Sequence, residues 1–433
     1  MKKRQIITAI RLCYGVTLAA TIRRCNLSAV LAVVLALLIG CTGIDLPNPV
    51  EMINKAPVTK SGSNELQVYG VLVSDDPTAT SVGNSILLNG GNAADAASAM
   101  AFTMSVTFPS RAGLGGGGVC LAGGGSSGEI KVLDFLPPAS RAKDKRIDRP
   151  SAVPTLVRGV AALHARYGQL PWRMVVTPAR DLARDGAVLT KSFYEDLAEY
   201  AVPLFADPTT SAIFADGSGR AYTEGNRLRQ IDLSTVLSTV SARGAGEFYS
   251  GPLARRFVEA SLSAGGSLDP VELREYLPVW RDPVSVQIDD RVLYTPPPPA
   301  TAGIVAIQML QMVLVGRGDA GTPTASVGLI ADVAKRSFIE RAKWLGRDFE
   351  ASAKVQRLLS SAYAREMMRS FSEESVKTVK NLVDRDRVPS ELDANVGFIV
   401  ADGDGLTIAC SLTMYHPFGT GRTTPGLGTL LAA

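Results

Sequence analysis

Small and apolar side chains occupy nearly every position from Ala93 to Val106, and Asp95 is the only charged residue among them. A helix that is apolar on most faces packs against neighbours on several sides and does not lie on a surface. Asn92 precedes this stretch and is a residue type that caps a helix by accepting a free backbone N–H. Gly90 and Gly91 can end a preceding helix, because glycine adopts the left-handed C-cap conformation at no steric cost. The pattern therefore predicts a buried helix over residues 93–106.

Shorter apolar runs bounded by glycine and aspartate predict strands. The predicted strands are Val68–Ser74, Val119–Ala122, Lys131–Phe135, Val396–Ala401 and Thr407–Leu412. Residues 402–405 read Asp-Gly-Asp-Gly between the last two runs, which is a hairpin signal. Predicted helical regions are Ala79–Leu88, most of Val153–Leu310, Thr301–Val315 and a block that ends at Asp384.

The glycine-rich stretch from Gly113 to Gly118 formally fits the dinucleotide-binding pattern G-x-G-x-x-G. That motif works only after a strand and at the start of a helix, because the pyrophosphate binds at the helix N-terminus. Here the order is reversed, with a predicted helix before the glycines and a strand after them. A nucleotide site is therefore excluded at this position.

Composition adds little beyond the class of the protein. The 433 residues are 46% apolar and carry a formal net charge of +4, which is ordinary for a globular protein. The sequence contains no basic stripe with interleaved aromatic residues, which is the pattern that would indicate nucleic-acid binding. The 2 histidines, His164 and His416, and the wide spacing of Cys120 and Cys410 give no metal-binding pattern. We expect the protein to bind no metal and no cofactor, and we expect His164 to have a structural role. The sequence leaves open whether the two cysteines pair.

The N-terminal segment indicates export and lipidation. Basic residues from Lys2 to Arg24 precede an apolar run, Leu27–Ile39, that is short for a membrane span. The sequence Leu38-Ile39-Gly40-Cys41 resembles a bacterial lipobox, whose cysteine thiol accepts a diacylglycerol. Thr42 follows, without the aspartate that favours inner-membrane retention. The sequence predicts a periplasm-facing lipoprotein of the cell envelope, in the outer membrane before the inner one. Its partners would be the membrane, through Cys41, and an unidentified small-molecule or peptide ligand.

Several motifs occur in one collinear order from Val68 to Leu431. They are the glycine-rich region, Arg166-Tyr167-Gly168 with Leu170-Pro171-Trp172, Pro178–Ala183, Phe248–Gly251, Gly265-Gly266, Tyr276–Pro278 and the prolines before Gly303. Together they resemble the gamma-glutamyltranspeptidase family, as a divergent member. The resemblance implies an α+β Ntn-hydrolase fold, an αββα sandwich of two antiparallel sheets covered by helices. It also implies the division 1–41 signal segment, 42–66 tether and 67–433 domain, split into parts 67–394 and 395–433.

Members of this family cut themselves and use the new N-terminal threonine as the nucleophile, activated by its own α-amine. Aligning the family motif on the turn at residues 402–405 places Asn395 at the nucleophile, Val396 at the next threonine and Gly397 at the histidine. An amide nitrogen is a very poor nucleophile. The resemblance therefore implies that self-cleavage and catalysis both fail here.

Other positions of the family site differ as well. The arginine that clamps the substrate carboxylate corresponds to Leu136, which cannot form that ion pair. Thr413 keeps a second active-site threonine, whereas Tyr415 replaces an asparagine. We expect Leu136, Thr413 and Tyr415 to line the candidate pocket. In the family, oxyanion-hole residues follow the position of Leu431, so the C-terminal part is expected to be shortened.

The leading hypothesis is a lipid-anchored, catalytically degenerate family member with a binding or scaffolding role. The alternative is an active gamma-glutamyl transferase or glutathione hydrolase with a non-standard nucleophile. Ser390 and Thr407 provide hydroxyls near the motif, but each requires a shift of the alignment. A third hypothesis is a remnant without a folded role.

Overall fold

The structure is a computed structural model that describes residues 69–125, 128–317, 325–345, 355–371 and 394–433. The strands are β1 (Gly70–Ser74), β2 (Gly117–Gly124), β3 (Ile130–Phe135), β4 (Ala187–Val188), β5 (Arg227–Leu228), β6 (Val279–Arg281), β7 (Val284–Ile288), β8 (Arg291–Thr295), β9 (Asn395–Asp402) and β10 (Leu406–Thr413). The first seven helices are α1 (Pro77–Leu88), α2 (Ala93–Thr107), α3 (Leu156–Tyr167), α4 (Trp172–Asp185), α5 (Lys191–Leu204), α6 (Pro208–Phe214) and α7 (Ile231–Arg243). The others are α8 (Glu247–Ser250), α9 (Pro252–Ser263), α10 (Pro270–Glu275), α11 (Ala302–Arg317), α12 (Val327–Trp344), α13 (Val355–Leu358) and α14 (Ser361–Met368).

The main sheet has six strands in the order β1-β9-β10-β2-β3-β6, and every neighbouring pair is antiparallel. The predicted hairpin at residues 402–405 joins β9 to β10 in this sheet, which confirms that prediction. Antiparallel strands and helices in one body give the α+β class expected from the sequence. Gly113 to Gly116 lie between α2 and β2, and Gly117 and Gly118 begin β2, so a strand and not a helix follows the glycines.

One face of the sheet packs against helices. Register places Phe398, Cys410, Cys120 and Leu133 in one row across four strands, and all four side chains are buried. All the residues of α2 are buried, because this helix contacts the sheet as well as α1, α3 and α4. The prediction of a helix packed on several sides is confirmed.

The cysteine pair that the sequence left open is formed. Cys120 and Cys410 are joined by a disulfide across a sequence separation of 290 residues. They lie directly opposite each other on β2 and β10.

The region 153–310 was predicted to be mostly helical, and it also contains the short strands β4 to β8. Strands of 2 or 3 residues, such as β4 and β6, are too short for an alternating pattern to be recognised. The hairpin of β7 and β8 packs with α11, α12 and α13 around an apolar cluster of its own. Within the part of the chain that the structure describes, no helix has the length and apolar character needed to cross a bilayer.

Candidate functional site

The candidate site lies where β9 begins and β10 ends. Asn395 is the first residue of β9 and is exposed, and it pairs in register with Thr413, the last residue of β10. Thr413 in turn pairs with Gly117 on β2. Gly118 pairs with Phe135 on β3, so the residue after Phe135, which is Leu136, continues the same row. The fold therefore brings together the positions at 395, 413 and 136 that the sequence selected.

The hydroxyl of Thr413 holds the backbone around it. Its side chain is 6% exposed, and Oγ1 donates to the carbonyl of Ala394 at 3.4 Å. The same oxygen accepts the N–H of Tyr415 at 2.9 Å. This hydroxyl therefore donates to one backbone group and accepts from another. Through these two hydrogen bonds, Thr413 fixes the end of the hairpin next to Asn395.

Tyr415 connects the end of β10 to the segment that follows β3. Its phenolic hydroxyl donates to the carbonyl of Pro137 at 2.9 Å. The backbone φ of 64° lies in the left-handed region, which is uncommon for a residue with a Cβ. Although 42% of the residue is exposed, burial of its hydroxyl end raises the pKa of Tyr415 to about 12, so the phenol is neutral at pH 7. The ring therefore reaches from the end of β10 to the segment that follows β3.

Leu136 brings an isobutyl group to this row, and its half-buried backbone N–H donates to Asp134 Oδ1 at 3.2 Å. The other oxygen of Asp134 binds Arg281 Nε at 2.9 Å. The guanidinium next to this segment is thus already engaged by a carboxylate of the protein.

Asp75 is a member of the site that the sequence did not indicate. Its Oδ2 accepts the N–H of Gly397 at 2.8 Å, and its own N–H donates to the carbonyl of Gly397 at 3.2 Å. A Cβ built on Gly397 would meet only ordinary contacts, at 3.5 Å or more. The backbone around Gly397 therefore does not require glycine, and a side chain would fit there.

The opposite end of the same hairpin contains a different polar cluster. Asp402 Oδ2 accepts the N–H of Ala93 at 2.9 Å, at the start of α2, and its Oδ1 accepts two N–H groups within the hairpin turn. Asn92 and Asp95 form a reciprocal capping box at this helix end.

Asp95 extends the cluster to the segment after α3. It is fully buried and accepts the N–H groups of Gln169 and Leu170 as well as that of Asn92. His164 Nε2 lies 3.2 Å from Asp95 Oδ1 and 3.0 Å from the carbonyl of Leu170. Burial alone would raise the pKa of Asp95, but these hydrogen bonds outweigh it and hold the pKa below its ordinary value. His164 thus joins two helices, which agrees with the structural role predicted for it.

The remaining candidates are far from the row or outside the described residues. Thr407 is exposed on β10, but it lies six positions before Thr413 along the strand, which corresponds to about 20 Å. Ser390 and the predicted lipid anchor Cys41 lie outside the described residues. In the described ranges, no three His, Cys, Asp or Glu side chains converge as metal ligands.

Comparison with known proteins links this chain to a family. Residues 79–433 match the family model described as gamma-glutamyltranspeptidase. The glutathione hydrolase proenzyme of Escherichia coli (strain K12) is 29% identical over 384 residues, covering 84% of this chain and 65% of that protein. The corresponding proenzyme of Pseudomonas aeruginosa (strain PAO1) is 30% identical over 383 residues, covering 84% of this chain and 67% of that protein.

A solved structure shows the same fold. The cephalosporin acylase from Bacillus halodurans superimposes with a TM-score of 0.69 at 23% identity, over 87% of this chain and 72% of that one. This agreement identifies the Ntn-hydrolase fold predicted from the sequence. The chain spans about two thirds of the length of the two curated relatives.

Proposed function

The chain belongs to the gamma-glutamyltranspeptidase family, and we propose that it is a catalytically degenerate, lipid-anchored member that binds or scaffolds in the cell envelope. The observation that supports degeneracy is Asn395 at the head of β9, where the family motif requires a hydroxyl. An amide nitrogen delocalises its lone pair into the carbonyl. It is therefore a very poor nucleophile toward a gamma-glutamyl amide, and it lacks the hydroxyl that the family uses for self-cleavage.

The neighbours of Asn395 do not replace the missing group. The Thr413 hydroxyl is hydrogen-bonded to the backbone of Ala394 and Tyr415, and the residue is almost completely buried from solvent. Leu136 provides no charge for a substrate carboxylate, and Arg281 is paired with Asp134. Tyr415, which stands at the position of an asparagine of the family, uses its hydroxyl in a hydrogen bond to the carbonyl of Pro137. These contacts favour a binding or structural role over hydrolysis.

The first test is turnover of a chromogenic gamma-glutamyl anilide by the purified full chain, made in a host that lacks its own family enzyme. We expect no release of the amine above the background of a mock purification. The same preparation, reduced and denatured on a gel, should give one full-length band. Reproducible turnover, or two fragments divided near residue 395, would favour the alternative of an active enzyme with a non-standard nucleophile.

The second test concerns the lipid anchor, which is supported by the lipobox sequence at 38–41. We expect Cys41→Ser to release the protein from the membrane fraction or to leave an unprocessed precursor, since the thiol is the acylated group. Cys25→Ser is the matched control in the same segment and should behave as the unmodified chain. Unchanged membrane recovery and size of Cys41→Ser would contradict lipidation at this residue. Absence of folded protein from the envelope would favour the remnant hypothesis.

A further inference from the structure

The disulfide between Cys120 and Cys410 lies in the centre of the main sheet. β2 and β10 are the fourth and third strands of the six, and the two cysteines face each other in register with a Cα–Cα distance of 4.1 Å. They point to the face that the helices cover. Their residual exposure is 2% for Cys120 and 6% for Cys410, and both belong to the same apolar cluster as α2.

Burial on this scale controls when the bond can form or break. Disulfide exchange requires a thiolate to reach a sulfur atom in line with the existing bond. In the folded chain the helical layer covers both sulfur atoms, so a reductant or oxidant reaches them only when the layer opens.

We infer that this disulfide is a covalent staple, by which we mean the Cys120–Cys410 bond between β2 and β10. It forms before α2 packs on the sheet and is then buried by the helices, so that the native chain depends on an oxidising compartment. The oxidant is of the protein or small-molecule disulfide class. The thiolate of one cysteine attacks the oxidant's disulfide and releases one oxidant thiolate. The thiolate of the other cysteine then displaces the second oxidant sulfur. One S–S bond forms in the chain, one is reduced in the oxidant, and two protons pass to the departing thiolates.

The position of the staple in the chain has a second consequence. Cys120 and Cys410 lie on either side of residue 395, so a cut at any single peptide bond between them leaves the two pieces covalently joined. The staple also holds β10, which ends at Thr413, to β2, which begins at Gly117. The spacing of the row that contains the candidate site is thus fixed whether or not the chain is ever cut.

The direct experiment traps free thiols in the exported full chain with N-ethylmaleimide and maps the tryptic peptides by mass spectrometry. We expect a linked pair of peptides that contain Cys120 and Cys410, with neither cysteine labelled. Incubation of the native protein with excess dithiothreitol should leave the link intact over a time in which an exposed disulfide is reduced, whereas addition of denaturant should open it. Free thiols at both positions, or opening at the rate of an exposed disulfide, would overturn the inference.

Variants separate the covalent tie from simple packing. We expect Cys410→Ala and the double variant Cys120→Ala with Cys410→Val, which keeps the number of side-chain heavy atoms of the pair, to lose a similar amount of thermal stability, roughly 5 °C in Tm, because both remove the same constraint on a long loop. Full recovery of Tm in the double variant would show that packing alone matters. Gels run with and without reductant keep this inference distinct from the proposed function. Two bands only with reductant would contradict the absence of self-cleavage and retain the staple, whereas two bands without reductant would contradict the staple.

Discussion

The two ends of the β9–β10 hairpin differ in what their polar groups do. At the turn, Asp402 accepts three backbone N–H groups and ties the hairpin to the first residue of α2. At the open end, Asn395 is exposed, and the Thr413 hydroxyl serves only the backbone next to it. One end keeps the interactions that the fold needs, and the other lacks the group that the family's chemistry needs.

On the proposed function, the residues that hold the fold and the residues that the family's catalysis requires are separate in this chain. The turn end stabilises the fold because the Asp402 carboxylate accepts free N–H groups at the turn and at a buried helix start. Loss of this acceptor would leave several donors without a partner at once. The open end can exchange its reactive side chain without leaving a buried group unpaired. The proposed function therefore requires no change in the contacts that hold the family fold.

The largest expected effect concerns whether the open end can be made reactive again. We expect Asn395→Thr to leave turnover of a gamma-glutamyl anilide undetectable, at least about a thousandfold below an active family enzyme. The variant restores a hydroxyl, but Leu136 still provides no charge and the Tyr415–Pro137 contact remains. Residues that act as a unit in catalysis are strongly non-additive. Turnover by this single variant would mean that the open end is one substitution away from an active site.

The next effect tests the cluster that holds the turn end in place. We expect Asp95→Asn to reduce the free energy of unfolding by about 2–4 kcal/mol at pH 7, because an amide NH₂ would face backbone donors inside a closed site. Since the pKa of Asp95 is below its ordinary value in the folded chain, its stabilising contribution is present above the unfolded pKa and is lost as pH falls through the folded one. Denaturant unfolding from pH 7 down to pH 2 checks this. The variant should lose less stability than the parent below about pH 4, and equal acid sensitivity of the two would contradict the role assigned to Asp95.

Sequence and structure agree where the information is local. The apolar stretch 93–106, the cap at Asn92 and the hairpin at 402–405 carry short-range signals, and each forms as predicted. The alignment assigned Asn395 and Thr413 to one family site, and the register pairs them directly.

Long-range contacts could not be predicted in the same way. Gly397 reaches Asp75 across 322 residues, and Tyr415 reaches Pro137 across 278, with no local pattern at either pair. The cysteine pairing likewise depended on the register of two strands that are far apart in the chain. Topology creates these contacts, so they become visible only when the strands are placed.

A smaller effect is expected when only the carboxylate at the turn end, that of Asp402, is removed. We expect Asp402→Ala to reduce the free energy of unfolding by about 1–3 kcal/mol, because the N–H of Ala93 at the start of α2 and two N–H groups of the turn lose their acceptor. Asp404→Ala is the matched control, since Asp404 is an exposed aspartate in the same turn. Chemical denaturation of the two variants side by side measures the difference. Equal stability of both variants would show that a carboxylate anywhere in the turn is sufficient.

The smallest expected effect lies at the open end. Asn395 is exposed at the head of β9, and its backbone pairing with Thr413 does not depend on its side chain. We therefore expect Asn395→Ala to change the free energy of unfolding by less than about 0.5 kcal/mol, as for other exposed positions without a special contact. The thermal and denaturant midpoints of this variant should coincide with those of the unmodified chain. A loss above about 1 kcal/mol would mean that the asparagine has acquired a structural function. The two hairpin ends would then differ in degree and not in kind, and the amide at 395 would have to be explained by what it holds in place.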